Sequence, residues 1–314
     1  MTETVDVFGP VAKDLAAVES DLRKAIAGDP PEVARPMADL FEAGGKRIRP
    51  ALVLLSAMCG RYDSSRLMPA AMAVELVHAA TLVHDDVIDR SATRRGRPTV
   101  AAALGDEPAI VIGDFYFAKA YESAAATGVS EVVDILARAV MDICAGEVRQ
   151  QGIRYRYSTG VDEYMSRIES KTAVLLAACC EIGALLGDLD ARQRDALREY
   201  GRELGFAFQI ADDVLDYTGS EGEVGKPLGH DLVEGFATLP MMLATIHVDD
   251  NRKLSESEAR DIVAAVRSGD GPRRALEIAR DRAQRARDRL AAFDPGDAKS
   301  SLTALTDYVV SRKL

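Results

Sequence analysis

The chain has 314 residues, 47% of them hydrophobic and only 5% aromatic, with no tryptophan. That length can bury a large core, as one big domain or two smaller ones, and an aliphatic content dominated by Ala, Leu and Val suits helices better than sheets. Lys plus Arg total 39 against 50 Asp plus Glu, a formal net charge of −11, which argues against general binding to nucleic acid or anionic membrane and means that any phosphate site must bring its own basic residues or metal.

Helical periodicity runs through the chain from the start. Val11, Leu15, Val18, Leu22 and Ile26 recur at steps of three and four, and Gly28 ends the pattern. A second helix is predicted from Arg49 to Gly60, with Pro50 near its start. The stretch Leu67–Asp89 is long and mostly apolar, so its helix should be buried nearly all round. Further helices are predicted over 109–128, 129–150, 162–187, 191–217 and 255–269, with a last pair over 272–293 and 299–314. No alternating strand pattern, low-complexity tract or dividing linker stands out. The expected architecture is all-α, one domain over 1–314 with ten or more helices around a central active-site cavity.

The four cysteines, Cys59, Cys144, Cys179 and Cys180, form no CxxC pair and no zinc-like spacing, so they read as buried, reduced thiols of a cytoplasmic protein. The N-terminus MTETVDVFGP lacks the basic start and apolar core of a signal peptide. Apolar runs such as Ala51–Cys59 reach about half of the ~20 residues a membrane span needs, so no integral membrane segment is expected.

Two stretches carry the chemistry. LVHDDVIDR places Asp85, Asp86 and Asp89 in an apolar run, and IADDVLDY repeats the spacing with Asp212, Asp213 and Asp216. Asp85 and Asp89 are four apart and project from one helix face. Like charges there repel, and a divalent cation reverses the sign of that interaction. Mg²⁺ prefers carboxylate, phosphate and water oxygens and takes only one or two protein carboxylates per ion. A solvated charged face is the competing reading. It does not account for Val87, Ile88, Val214 and Leu215 between the charges, nor for two copies of the pattern. His78 and Thr81 lie seven and four residues before Asp85, on the same side of that helix.

Basic residues stand beside both clusters. GGKRIRP offers Lys46, Arg47 and Arg49 on a glycine-started turn entering a helix, where free N–H groups and the helix dipole favour an anion. Arg94, Arg95 and Arg97 follow the first aspartate cluster, and Lys226 follows the second.

In order, GGKRIRP, VELVHAATLVHDDVIDR, RRGRPT, IVIGDFYFAKA, SRIESKTA, GFAFQIADDVLDY and GKPLGHDLVEG resemble the trans-isoprenyl diphosphate synthases of the polyprenyl synthetase family. The resemblance covers about Gly44 to Pro240. It implies an all-α isoprenoid synthase fold and a Mg²⁺-dependent prenyltransferase that condenses isopentenyl diphosphate with an allylic diphosphate. It assigns Asp85, Asp89 and Asp212 to Mg²⁺, with Asp86, Asp213 and Asp216 in support. Arg94, Lys171, Thr172, Gln209 and Lys226 would contact the allylic substrate, with Lys171 and Lys226 catalytic beside the aspartates. Lys46, Arg49, His78 and Arg95 would hold isopentenyl diphosphate. The family also implies a homodimer. Two positions depart from its pattern: His230 stands for a basic residue in GHD, and Phe236 for a lysine in EGFATLP.

Ala80 and Thr81, five and four residues before Asp85, are small where short-chain members of the family carry a bulky aromatic. That resembles a long-chain enzyme, hexaprenyl to decaprenyl. Geranylgeranyl diphosphate synthase is the alternative, with Tyr116 or Phe117 as a deeper wall; ordinary core aromatics are an equal reading of those two. A terpene cyclase has no use for GGKRIRP, and an inactive partner subunit would commonly lose an aspartate motif. Glu75 and His78 match one Glu-x-x-His of a di-iron bundle, but none of the other histidines, His84, His230 and His247, completes a second copy.

Overall fold

Leu15, Val18, Leu22 and Ile26 are all buried along one face of the first helix, α1 (Ala12–Ala27), and the N–H of Gly28 closes its end on Lys24 O. The computed structural model describes residues 7–42, 44–219 and 228–311. It divides into two compact units: Met1–Val140, Ala178–Leu197 and Phe293–Ser301 form the first, and Met141–Ala177, Arg198–Ala292 and Leu302–Leu314 the second. Its regular structure is helical, apart from a ribbon of two two-residue strands, β1 (Thr93–Arg94) and β2 (Arg97–Pro98). That ribbon is too short to leave the alternating pattern by which strands are recognised.

The first unit contains α1, α2 (Pro31–Glu42), α3 (Ile48–Met58), α4 (Ser64–Ile88), α5 (Val100–Leu104) and α6 (Asp106–Ala125). Helix α2 is absent from the sequence expectations; it has Pro30 just before it and carries Pro31 and Pro36, residue types that weaken a helical pattern. Pro31 occupies the first turn, where its missing N–H costs nothing. Met37 and Phe41, one turn apart, bury the apolar face.

Helix α4 starts three residues earlier than the periodicity suggests, because Asp63 caps it by accepting from the N–H of Ser65 at 3.1 Å. It is buried nearly all round, as expected. At 25 residues it is long and apolar enough to cross a membrane, yet its apolar window is mostly buried, as in the core helix of a globular unit. Its main packing partner is α6. The two approach closely at Gly113, where an added Cβ would lie 2.1 Å from His84 Nε2. A glycine is what lets the imidazole reach Ile110 O, 3.0 Å away.

The second unit contains α8 (Val161–Ile168), α11 (His230–Val233), α12 (Leu239–Leu243), α13 (Glu256–Ser268) and α14 (Gly271–Arg289). Helices α7 (Ser130–Gly152), α9 (Val174–Leu186), α10 (Ala191–Thr218) and α15 (Asp297–Val310) each contain residues of both units. The helix predicted over 162–187 is interrupted by a π-helical turn at Glu169–Ala173. Of the cysteines expected to be buried, Cys179 and Cys180 are, Cys59 is half-buried, and Cys144 is exposed because it falls off the buried face that α7 presents at Ile143, Gly146 and Gln150. Within the second unit, α10 buries Phe206, Ile210 and Val214 among Tyr164, Ile168, Leu239 and Leu276, and its Tyr217 joins another cluster with Leu232, Met241 and Val263. One face of α10 is thus committed to the core, and this fixes the direction of Asp212, Asp213 and Asp216.

Gly113→Val should destabilise the protein by about 1–3 kcal/mol through overpacking against His84. Thermal unfolding in the His84→Ala background should show most of that loss restored; a loss of the same size in both backgrounds would rule out the imidazole as the obstacle.

Candidate active site

In each aspartate motif the middle carboxylate is buried and answered by the protein itself. Asp86 is 2% exposed. Arg94 turns its fork onto it: Nε lies 2.9 and 3.1 Å from the two carboxylate oxygens and Nη2 lies 2.8 Å from Oδ1. Burial raises the pKa of Asp86 and the Arg94 charge opposes the rise. Asp85 and Asp89 are half-buried. Asp89 caps the end of α4, its N–H donating to Asp85 O at 2.8 Å, so the two carboxylates leave the helix one turn apart.

The second motif repeats the plan with different donors. Asp213 is 4% exposed and accepts from Tyr164 Oη at 2.7 Å and Gln209 Nε2 at 2.8 Å. Burial and the nearby Asp231 carboxylate hold its pKa up, to about 7, against those donors and Arg167. Gln209 in turn accepts from Thr172 Oγ1 at 2.7 Å. Thr172, Gln209 and Asp213 were each expected at the site, and here they form one hydrogen-bonded chain. Asp212 is half-buried, as Asp85 is, while Asp216 is buried.

Lys171 and Thr172 sit in the π-helical turn, a distortion found frequently at functional sites. Lys171 Nζ pairs with Glu147 Oε1 at 3.1 Å. Lys226 lies outside the described residues.

The basic residues of the first unit gather around His78. Burial, helped by the charges of Arg49, Arg95, Arg94 and Arg47, pushes its pKa well below the ordinary 6.5, so the imidazole is neutral. Arg95 stands at the tip of the β1–β2 turn, where Arg95 and Gly96 both have positive φ, 52° and 76°. Partial burial and the neighbouring Arg94 and Arg47 push its pKa down too. Lys46 is exposed and Arg49 half-buried. Arg47 precedes α3 in the left-handed region, φ 49°, a conformation costing a non-glycine residue about 1–2 kcal/mol.

Three residues were missed as site residues: Glu75 in the first unit, which pairs with Arg47 at 2.6 Å, and Glu147 and Tyr164 in the second. Glu75 had a signal, as a lone charge in the apolar run AVELVHAA. Its bond to Arg47 uses the carboxylate that a di-iron reading needs. Glu147 and Tyr164 stand in ordinary amphipathic helices and had none.

The residues expected to set chain length divide. Thr81 is half-buried, its Oγ1 donating to His78 O at 2.8 Å, and Ala80 is fully buried. Tyr116 is a core aromatic with no exposed surface, its hydroxyl 3.1 Å from Asp29 Oδ2 and 3.4 Å from Val33 O. Phe236 lies beneath two guanidinium groups, with Arg154 Cζ 5.9 Å and Arg167 Cζ 5.4 Å from its ring. The region therefore holds two cations beside a residue that carries none.

Residues 30–266 match the polyprenyl synthetase family. The chain belongs to that family. It is an enzyme, a prenyltransferase of the polyprenyl diphosphate synthase kind. It is 40% identical over 260 residues to heptaprenyl diphosphate synthase component 2 of Geobacillus stearothermophilus, covering 83% of this chain and 78% of that one. Its structure is similar to that of a polyprenyl synthase from Caulobacter crescentus complexed with calcium and isoprenyl diphosphate: TM-score 0.91, 34% identity, 99% and 98% of the two chains covered. It is similar too to a geranylgeranyl pyrophosphate synthetase from Pyrococcus horikoshii: TM-score 0.89, 30% identity, 98% and 99% covered. The all-α isoprenoid synthase fold of this polyprenyl synthetase agrees with the sequence expectation.

Below pH 6.5 an unfolded His78 takes up a proton that the folded imidazole refuses, so this group makes stability fall as pH is lowered. His78→Gln should therefore flatten the decline in melting temperature between about pH 7 and pH 5. Parallel melting curves for the two proteins would show that His78 is not held neutral by the fold.

Proposed function

We propose that this polyprenyl synthetase condenses isopentenyl diphosphate with an allylic diphosphate in a Mg²⁺-dependent reaction, giving an all-trans polyprenyl diphosphate of hexaprenyl to decaprenyl length. The observation that carries the reading is the shared plan of the two aspartate motifs. In each, a buried middle carboxylate is held by protein donors, while Asp85, Asp89 and Asp212 stay half-buried. Among the described residues no three His, Cys, Asp or Glu side chains converge to chelate an ion by themselves. That fits Mg²⁺, which takes one or two carboxylates and completes its shell with water and substrate phosphate.

On this reading Asp85, Asp89 and Asp212 hold Mg²⁺, and Asp86, Asp213 and Asp216 support them. When bound, the metal supplies positive charge for a departing diphosphate. Lys171, Lys226 and Arg94 add positive charge for the allylic diphosphate, and Thr172 and Gln209 orient it. Lys46, Arg49, Arg95 and neutral His78 hold isopentenyl diphosphate. The allylic C–O bond breaks, the isopentenyl double bond attacks the cation to form the new C–C bond, and the proton then lost goes to the expelled diphosphate. No histidine base is required, and apolar walls keep water from the cation.

The small, half-buried side chain at Thr81, beside the small Ala80 packed in the core, supports a long product. Tyr116, a core residue with its hydroxyl occupied, gives little support to a wall that would stop growth at geranylgeranyl length. The whole chain, 1–314, is read as one polyprenyl synthetase domain acting in the cytoplasm. A homodimer fits the apolar face that α5 and α6 leave uncovered at Leu104, Ile110 and Val111, which are 47%, 44% and 63% exposed.

Purified protein given isopentenyl diphosphate, Mg²⁺ and each allylic primer in turn should yield long-chain products by chromatography, and should yield none when the metal is chelated. Asp85→Ala should lower turnover about 10²- to 10³-fold, as expected when a group stabilising the transition state is lost, with the melting temperature little changed; normal turnover would remove its metal role. Thr81→Phe should shorten the product, and an unchanged product length would reject the tunnel assignment.

A further inference from the structure

Arg47 belongs to the basic turn GGKRIRP, yet its guanidinium is directed inward. Nε donates to Glu19 Oε1 at 2.9 Å, Nη1 to Glu75 Oε1 at 2.6 Å and Nη2 to Phe41 O at 3.3 Å. Its Cζ also lies 5.3 Å from the centre of the Phe41 ring. All three nitrogens thus donate within the protein, and the side chain of Glu75 is only 5% exposed. A charge-assisted pair so far from water is strong and geometrically exacting.

Three features tie this pair to the neighbouring basic residues. Arg47 is the left-handed residue that turns the chain into α3, between Lys46 and Arg49. Glu75 lies three residues before His78 on α4, on the same side of the helix. A Cβ on Gly45 would lie 3.0 Å from Arg47 Nη1 and 3.5 Å from Arg95 Nη1, so both guanidinium groups lie against that bare glycine. Shifting Arg47 would therefore disturb the direction of Lys46, the start of α3 at Arg49 and the space available to Arg95.

We propose that Arg47 and Glu75 are positioning residues for the isopentenyl diphosphate site: their buried ion pair, braced by Glu19, pins the Gly44–Arg49 turn so that Lys46, Arg49 and Arg95 meet the diphosphate together. The inference rests on the function proposed above. The pair acts through its neighbours and does not touch substrate. The left-handed backbone at Arg47 is held by these contacts, because a lone arginine would relax out of it.

Steady-state kinetics with each substrate varied in turn test this. Arg47→Met and Glu75→Gln should each raise KM for isopentenyl diphosphate about 10- to 100-fold, with kcat and KM for the allylic diphosphate changed less than about 3-fold, the signature of lost ground-state binding of one substrate. The double variant should be no worse than the worse single one, since both remove the same contact. Arg47→Lys should recover only part of the loss, because an ammonium cannot reproduce the fork. An unchanged isopentenyl KM, or a fall in kcat with both KM values raised alike, overturns the proposal. Should Arg47→Met not fold, Glu19→Gln decides. It removes the more exposed partner and should raise the isopentenyl KM a few-fold, and no rise overturns the proposal. Wild-type protein inactive with every primer would sink the underlying function, whereas active wild-type with unaffected variants sinks this inference alone.

Discussion

A carboxylate surrounded by apolar side chains must be answered by donors or cations, or it takes up a proton instead. This chain sets that condition twice, at Asp86 and at Asp213, and much of the local architecture follows from it. At Asp86 the answer comes from Arg94, which requires the chain to leave α4 sharply and return as a short ribbon. At Asp213 it comes from Tyr164 and Gln209, which requires α8 to lie beside α10. Once the middle carboxylate is fixed, the helical period fixes its neighbours. Asp85 and Asp212, each one residue before it, take up half-buried positions.

The same logic governs the basic side of the first unit. Several arginines and a histidine crowd one place, and mutual repulsion would scatter them on a soft scaffold. Glu75 and Asp86 are the buried counter-charges there, each engaging one guanidinium. The imidazole of His78 stays neutral in this field, so it can offer a hydrogen bond without adding charge. Arginine suits these pairings, since its planar fork meets a carboxylate in two places and keeps its charge when buried.

Much of this was legible in the sequence for a physical reason: charges inside an apolar helical pattern are expensive, so their presence signals purpose. Asp85, Asp86, Asp89 and the second triplet stood out on that ground, and Glu75 carried the same mark less visibly. What escaped notice depends on partners distant in sequence. Nothing local reveals that Tyr164 meets Asp213 or that Glu147 meets Lys171, 49 and 24 residues apart. Helix α2 was hidden by its prolines, whose breaking tendency yields when one sits in the first turn and Met37 and Phe41 bury well. Phe236 showed the reverse. It looked like a missing charge, and its surroundings contain Arg154 and Arg167 stacked on the ring.

The π-helical turn at Glu169–Ala173 has a geometric corollary. It houses one residue more than an α-helical turn would, and each residue of an α-helix advances the side chains by about 100°. Everything after the bulge is therefore rotated relative to everything before it. Tyr164 and Ile168 before the bulge and Ala173 at its end share one buried cluster, along what the sequence writes as a single unbroken helix. The aim of Lys171 and Thr172 is owed to one surplus residue, and a protein that trimmed it would keep its composition and its helix but lose its bearings.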